Sequence, residues 1–188
     1  VKWKDWNKKT KNWKKNLKRF DPSERERDRI DLYDFSKNIS KILAKDSIFI
    51  CDSGFIDVIL PNNIEFKKNQ KCLHPVSQGS MGYAIPAVLG ASVAYTNKNI
   101  ICVVGDGSLM MNLQELQTIK DYKANPKIFV INNNMYGIIR KRQKELFKNR
   151  TVGTDQTNGV TGTNIKQIAK CFNFKYFKVN KNYKLRNK

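Results

Sequence analysis

Asn99-Ile-Ile-Cys-Val-Val-Gly-Asp-Gly-Ser108 is the stretch on which the fold turns. Asn99–Val104 is continuously apolar after its first residue, with none of the alternation of a half-exposed strand, so it reads as a strand buried on both faces. Gly105-Asp-Gly-Ser108 reads as a turn, and Leu109–Tyr122 as a helix with Leu113, Leu116 and Ile119 on its apolar side. A second apolar strand, Lys127–Ile131, follows and ends in Asn132-Asn-Asn134. Strand, helix and strand form a βαβ unit, which predicts an α/β fold: a mostly parallel sheet with helices on both faces.

Outward from this unit, Leu32–Ala44 reads as a helix capped by Asp31, and Ser47–Cys51 as a buried strand ending in an Asp52-Ser-Gly54 turn. Met81–Tyr95 reads as a helix in which Pro86 is tolerated only in an early turn. Ile165–Phe172 reads as a further helix and Phe174–Val179 as a strand. Residues 1–29 form a basic linker or the end of a preceding domain, 30–179 the folded domain and 180–188 a polar tail. In the linker, Trp3, Trp6, Trp13 and Leu17 fall roughly at helical spacing, which fits an amphipathic helix whose aromatic stripe packs on another surface; a solvated linker helix of a larger protein and attachment to nucleic acid or membrane are the alternatives.

The chain has 188 residues with Lys+Arg 36 against Asp+Glu 16, a formal net charge of +20. Such a charge attracts nucleic acid, anionic membrane or phosphorylated ligands, but much of it lies away from the strand-end loops. No apolar run is long enough for a membrane span, and no signal-peptide pattern is present, so a cytoplasmic location is expected. Cys51, Cys72, Cys102 and Cys171 are far apart and accompany a single histidine, so neither a zinc site nor a disulfide framework is signalled. The first residue is Val1, which suggests a fragment of a longer protein, although processing would give the same end.

In a parallel sheet, the loops at the carboxyl ends of the strands form the ligand crevice. Asp106 and Asn133 both follow such strands and offer a carboxylate and an amide oxygen, hard ligands suited to Mg²⁺ with phosphate and water completing its shell. Gly105 and Gly107 would allow close approach of a phosphate, with backbone N–H groups facing its charge. Taken alone, the same letters also fit a tight turn capped by Ser108. Ser53 and Gly54 stand at another strand end, where a phosphate contact and a purely structural turn are equally open. His74 either orients the following loop or transfers protons.

The wider spacing is more specific. Gly105-Asp-Gly107, 24 intervening residues and Asn132-Asn133 resemble the signature of thiamine-diphosphate enzymes, as do the flanks Gln114–Thr118 and Asn132–Gly137. Residues 30–179 resemble the cofactor-binding C-terminal domain of the acetolactate-synthase-like family, and the Trp- and Lys-rich start resembles the linker before it. The resemblance implies thiamine diphosphate and Mg²⁺ as cofactors. It makes Asp106, the Asn133 side chain and the Met135 main-chain oxygen the metal ligands, and Gly105, Gly107 and Ser108 the diphosphate turn. Tyr136 and Gly137 continue the cofactor tract. Gly79, Ser80 and Met81 fall in the aminopyrimidine loop, where Gly79 supplies a carbonyl and Met81 props the cofactor into its bent shape.

The resemblance also implies what is lacking. The family's activating Glu belongs to a pyrimidine-binding domain, normally contributed across a dimer interface, so no catalytic residue is assigned here and Glu115 matches a structural position. The expected partners are therefore a pyrimidine-binding domain or complementary subunit, in a homo- or hetero-oligomer, and a 2-oxo acid substrate; no specific nucleic acid is expected. Arg142 stands where acetolactate synthases carry a Trp at the substrate entrance, and the domain ends about two elements early. The expected function is the cofactor-binding portion of a lyase or carboligase (transferase). A noncatalytic cofactor-binding remnant and a basic binding or assembly module are the alternatives.

Overall fold

The computed structural model describes residues 3–16 and 29–180. Among them, β1 (Ile48–Cys51), β2 (Lys71–Leu73), β3 (Ile100–Gly105) and β4 (Lys127–Ile131) form one sheet in the order β2-β1-β3-β4. Every pairing is parallel, with Ile48 opposite Ile100 and Ile101 opposite Lys127. The chain first steps from β1 outward to β2, then crosses to the other side of β1 to lay down β3 and β4. The switch point thus falls between β1 and β3, where a crevice opens beyond the strand ends.

Both faces are covered, as continuous apolar strands require. Ile48 and Ile50 of β1 and Cys102 and Val104 of β3 pack with Ile85 and Val88 of α4 (Ala84–Ala94) and Leu116 and Ile119 of α6 (Glu115–Asp121). Their alternating neighbours Phe49, Ile101 and Val103 face α2 (Leu32–Ile42) and α3 (Phe55–Asn63) through Phe35, Ile39, Ile56 and Leu60. The period-two division of each strand between two helical layers is the direct cause of its unbroken apolar sequence. Helix α2 starts as expected, with the Asp31 carboxylate accepting the Asp34 N–H at 2.8 Å.

Several boundaries differ from expectation. Helix α4 starts at Ala84, not Met81, because Gly79 and Gly82 adopt φ of +59° and +82°. Pro86 then lies in the first turn, where its missing N–H is harmless. Asp106 opens a one-turn helix, α5 (Asp106–Leu109), so Gly105-Asp-Gly-Ser108 is less a turn than a direct strand-to-helix junction. The helix expected over Leu109–Tyr122 is broken into a 3₁₀ turn at Met110–Asn112 and α6. The break coincides with a tertiary tie, the Asn112 amide donating to the Gly82 carbonyl at 2.9 Å.

Helix α3 and strand β2 were not legible. Pro61, Asn62 and Asn63 are weak helix formers, yet the Asn62 and Asn63 amides donate back to the Val58 and Ile59 carbonyls at 2.8 and 2.7 Å and close the helix end. Helices α7 (Gly137–Leu146) and α8 (Ile165–Cys171) complete the domain. Phe174–Val179 forms no strand. After α8 the Phe174 N–H returns to the Ala169 carbonyl at 2.8 Å and its ring joins the core cluster, turning the chain away from the edge of β4.

In the N-terminal segment, α1 (Trp3–Asn16) is a helix with no buried residue, and its Trp6 and Trp13 meet edge to face at 5.7 Å. Leu17 and the tail 181–188 lie outside the described residues. All four cysteines are free. No helix among the described residues is long and apolar enough to cross a membrane.

Candidate functional site

Three strand ends deliver oxygen ligands or carboxylates to the same edge of the sheet: Asp52 after β1, Asp106 after β3, and Asn132–Asn134 after β4. The loops after β3 and β4 are joined through Asp106, which is 5% exposed and accepts the Asn134 N–H at Oδ2, 2.8 Å. Asn134 reaches this position with φ of +54°. The Asn133 Oδ1 accepts the Met135 N–H at 3.1 Å, which fixes the amide oxygen within the same loop. Asp106, Asn133 and Met135 are thus brought together although the first two lie 27 positions apart in the chain.

Burial pushes the Asp106 carboxyl above the ordinary carboxylate range, against opposing N–H bonds from Asn134, Gly107, Asp106 itself and Asn133. A carboxylate desolvated by burial is stabilised in its charged form by a divalent ion bound beside it. No cluster of three or more His, Cys, Asp or Glu side chains capable of holding a metal exists among the described residues. A site of one carboxylate, one amide oxygen and one main-chain oxygen is different in kind: it suits Mg²⁺ that keeps phosphate and water in its shell. The donor set therefore fits.

The two glycines of Gly105-Asp-Gly107 serve different ends. A Cβ on Gly105 would meet nothing within 4 Å, leaving open space beside Asp106. A Cβ on Gly107 would lie 2.5 Å from the Tyr136 ring, so Gly107 is required by packing between the two loops. Gly107→Ala is expected to displace Tyr136 and cost roughly 1–3 kcal/mol. Thermal unfolding checks this: at roughly 2–4 °C per kcal/mol the midpoint falls by several degrees, and an unchanged midpoint contradicts the packing role. Ser108 is buried in α5, and Gly137 faces Phe55 of α3 and the Asn133 amide.

The Gly79–Gly82 loop is held over the opposite side of the crevice. Asp52, fully buried, accepts the Gly82 N–H at Oδ1 (3.0 Å) and the Ala84 N–H at Oδ2 (2.7 Å), while Ser53 N–H binds Oδ1 at 2.9 Å. One carboxylate thereby caps α4 and ties the loop to the end of β1. Ser80 is exposed, and the Met81 side chain, 38% exposed, is not part of the core. Leu73, Ser80, Met81, Gly82, Tyr83 and Asn112 help line an open, largely apolar cavity of about 530 Å³.

Asp52 was read only as part of a turn. Its signal is the same as that of Asp106, an acidic residue directly after a buried apolar strand. A second missed group supports Met135 and Tyr136 from below. Met135 forms an isolated antiparallel bridge with Asp155, Tyr136 N–H donates to the Thr154 carbonyl at 2.9 Å, and Arg140 pairs with Asp155 at 3.0 Å. Asn158 binds the Thr154 and Asp155 N–H groups through one oxygen at 2.6 and 2.9 Å. Gly162 closes against this arm, since a Cβ there would stand 2.6 Å from the Asn134 Oδ1.

The Thr157 hydroxyl, donating to Asp155 at 2.6 Å, holds that carboxyl below its ordinary range, with its N–H and Arg140 adding to the effect. A lowered folded value means stability present above the unfolded value of about 3.9 and lost as pH falls through the folded one. Acidification below about pH 4 is therefore expected to loosen residues 151–158 selectively, read as faster amide exchange there than in β3. Asp155→Asn should remove that difference in pH response.

Residues 52–188 match the family described as thiamine pyrophosphate enzyme, C-terminal TPP binding domain. The chain belongs to that family. Thiamine diphosphate, with Mg²⁺ as its usual companion, is the cofactor for which such domains are built. The acetolactate synthase large subunit of Porphyra purpurea is 37% identical over 138 residues, 73% of this chain and 23% of that protein. The isozyme 2 large subunit of Escherichia coli (strain K12) is 32% identical over 122 residues, 65% of this chain and 22% of that protein. The chain thus spans about a quarter of the length of these curated relatives.

Among solved structures, a Rhodococcus jostii RHA1 thiamine diphosphate-dependent 4-hydroxybenzoylformate decarboxylase superposes with a TM-score of 0.76 at 22% identity, covering 91% of this chain and 32% of that one. At that identity the likeness bears on the fold, and it agrees with the parallel sheet and its two helical layers. Arg142, the departure noted at the entrance position, lies exposed on α7 and pairs with Glu145 at 3.3 Å.

Proposed function

We propose that this chain is the thiamine-diphosphate and Mg²⁺ binding portion of an acetolactate-synthase-like lyase or carboligase acting on a 2-oxo acid. The observation that carries the reading is the convergence of a buried Asp106 carboxylate with Asn133 and Met135 at the carboxyl end of β3 and β4. Asp106, the Asn133 amide oxygen and the Met135 main-chain oxygen would hold the metal. Gly105, Gly107 and Ser108 would border the diphosphate, with Tyr136 and Gly137 closing the loop beside it. Gly79, Ser80 and Met81, anchored through Asp52, would face the aminopyrimidine ring.

When bound, thiamine diphosphate supplies a carbon nucleophile for the 2-oxo acid carbonyl and stores the electron pair released with CO₂. The contribution of this chain is positional. Its loops fix the diphosphate end through hard oxygen ligands and the other end through a loop clamped to β1, and such placement converts binding into reactive geometry. Activation of the cofactor requires a Glu from a pyrimidine-binding domain, so turnover is assigned to a complex of this chain with that domain or a complementary subunit.

Coexpression with the neighbouring coding sequence tests the reading. The complex is expected to release CO₂ from pyruvate or another 2-oxo acid only with both thiamine diphosphate and Mg²⁺ present. A complex that binds the cofactor but consumes no 2-oxo acid would contradict the enzymatic part and leave a cofactor-binding remnant.

A further inference from the structure

The single histidine of the chain sits at the same edge of the sheet as the cofactor loops. His74 follows β2 directly, and its Nδ1 lies 2.6 Å from Oδ1 of Asp57, in the first turn of α3. The side chains are 24% and 17% exposed. Sequence gave His74 no acid partner because Asp57 belongs to a helix that could not be read. The ionised Asp57 carboxylate only accepts, so Nδ1 carries the proton between them and Nε2 is left as the exchangeable position. Nε2 has no hydrogen-bond partner among the described residues.

The pair stands at the carboxyl end of the sheet on the β2 side of β1, and its two elements run on to both sets of loops of the proposed site. On one side, Phe55, two residues before Asp57, stands against Gly137 beside the Asn133 amide. On the other, His74 opens the segment that leads into the Gly79–Gly82 loop, with its carbonyl accepting the Val76 N–H at 2.9 Å and the Pro75 carbonyl accepting the Gly79 N–H at 2.9 Å. Leu73, its immediate neighbour, lines the cavity shared with Ser80, Met81 and Gly82. An imidazole held at one nitrogen by a carboxylate, part-exposed and adjacent in sequence to a residue that lines this cavity, is suited to carry a proton.

We propose that His74 is the acid–base residue of this site and that Asp57 positions it, Nε2 exchanging a proton with the carbonyl oxygen of the 2-oxo acid. This rests on the functional reading above. As the carbonyl carbon is attacked, the Nε2–H bond of the imidazolium breaks and an O–H bond forms, leaving neutral imidazole. When the carbonyl is regenerated at product release, the same nitrogen takes the proton back, so the residue ends each cycle in its starting state.

The test uses the complex of this chain with its pyrimidine-binding partner, loaded with thiamine diphosphate and Mg²⁺ and assayed with pyruvate and benzoylformate. His74→Gln is expected to bind the cofactor within about threefold of wild type and to lose about 100-fold or more in kcat. His74→Ala should regain part of its rate with added imidazole, which a structural role would not produce. In this chain alone, nitrogen NMR of its one histidine should show the neutral ring protonated at Nδ1, and Asp57→Asn should abolish that preference. A wild-type complex active on either acid whose His74→Gln variant keeps kcat within about threefold overturns this proposal alone, as does a ring protonated at Nε2. A wild-type complex that consumes neither acid overturns the functional reading and this proposal with it.

Discussion

Asp106→Asn is expected to weaken Mg²⁺-dependent binding of thiamine diphosphate by at least about 100-fold while leaving the metal-free chain folded. The amide keeps one oxygen for the Asn134 N–H that joins the two loops, but it removes the formal charge that a divalent ion needs. The direction of the Asp106 pKa separates the two effects. A folded value raised above the unfolded one means that this group contributes stability below about pH 3.9, and that the contribution is lost as pH rises through the folded value. At neutral pH the ionised carboxylate is therefore a cost to the metal-free fold, and a bound cation removes it. Mg²⁺ with the cofactor should raise the thermal midpoint of the wild type and leave that of Asp106→Asn unchanged. An equal rise in both would show that the ion binds elsewhere.

Asp52→Ala is expected to have the largest effect on stability. Its carboxylate accepts three backbone N–H groups, from Ser53, Gly82 and Ala84, in a site with no exposure. Each buried N–H left without a partner costs about 1–3 kcal/mol, so removal of the carboxylate costs at least about 3 kcal/mol. Against a typical domain stability of about 5–15 kcal/mol this is a large fraction. At roughly 2–4 °C per kcal/mol, the midpoint should fall by about 10 °C. Asp52→Asn retains one acceptor but turns an N–H donor toward another, and should show an intermediate fall. The loss has a local signature, since the amides of Gly82 and Ala84 should exchange faster before global unfolding does. An Asp52→Ala chain with an unchanged midpoint and protected Gly82 would refute the clamp.

The central βαβ unit was legible because its first strand is buried on both faces and its second, Lys127–Ile131, though only half-buried, is an apolar run bounded by polar residues. Asp106 and Asn133 could be placed at one edge of the sheet from chain order alone, because parallel strands put all their carboxyl ends together. What escaped was set by contacts far apart in sequence. Asp57 and His74 meet across α3 and β2, neither of which announces itself: α3 carries Pro61 among its residues, and β2 is three half-exposed residues at the sheet edge. The break after Met110–Asn112 depends on Gly82, thirty residues upstream, to which the Asn112 amide is tied. The helical spacing of Leu113, Leu116 and Ile119 was correct for the face they bury and silent about that tie. The strand expected at Phe174–Val179 failed for a related reason: Phe174 packs on the core beside α6 and α8, while Tyr176 and Phe177 stay exposed and no ladder forms.

Charge was the least informative property. The basic residues of α1 surround an exposed helix with no buried side chain, whereas the anion that domains of this family receive is the diphosphate of their cofactor. Calorimetric titration of thiamine diphosphate into this chain, alone and supplied with the pyrimidine-binding domain, tests the account most directly. With Mg²⁺ present, saturable binding is predicted in at least one of the two preparations, abolished by chelation of the metal and by Asp106→Asn. Binding that is absent from both, or that survives chelation unchanged, would contradict it.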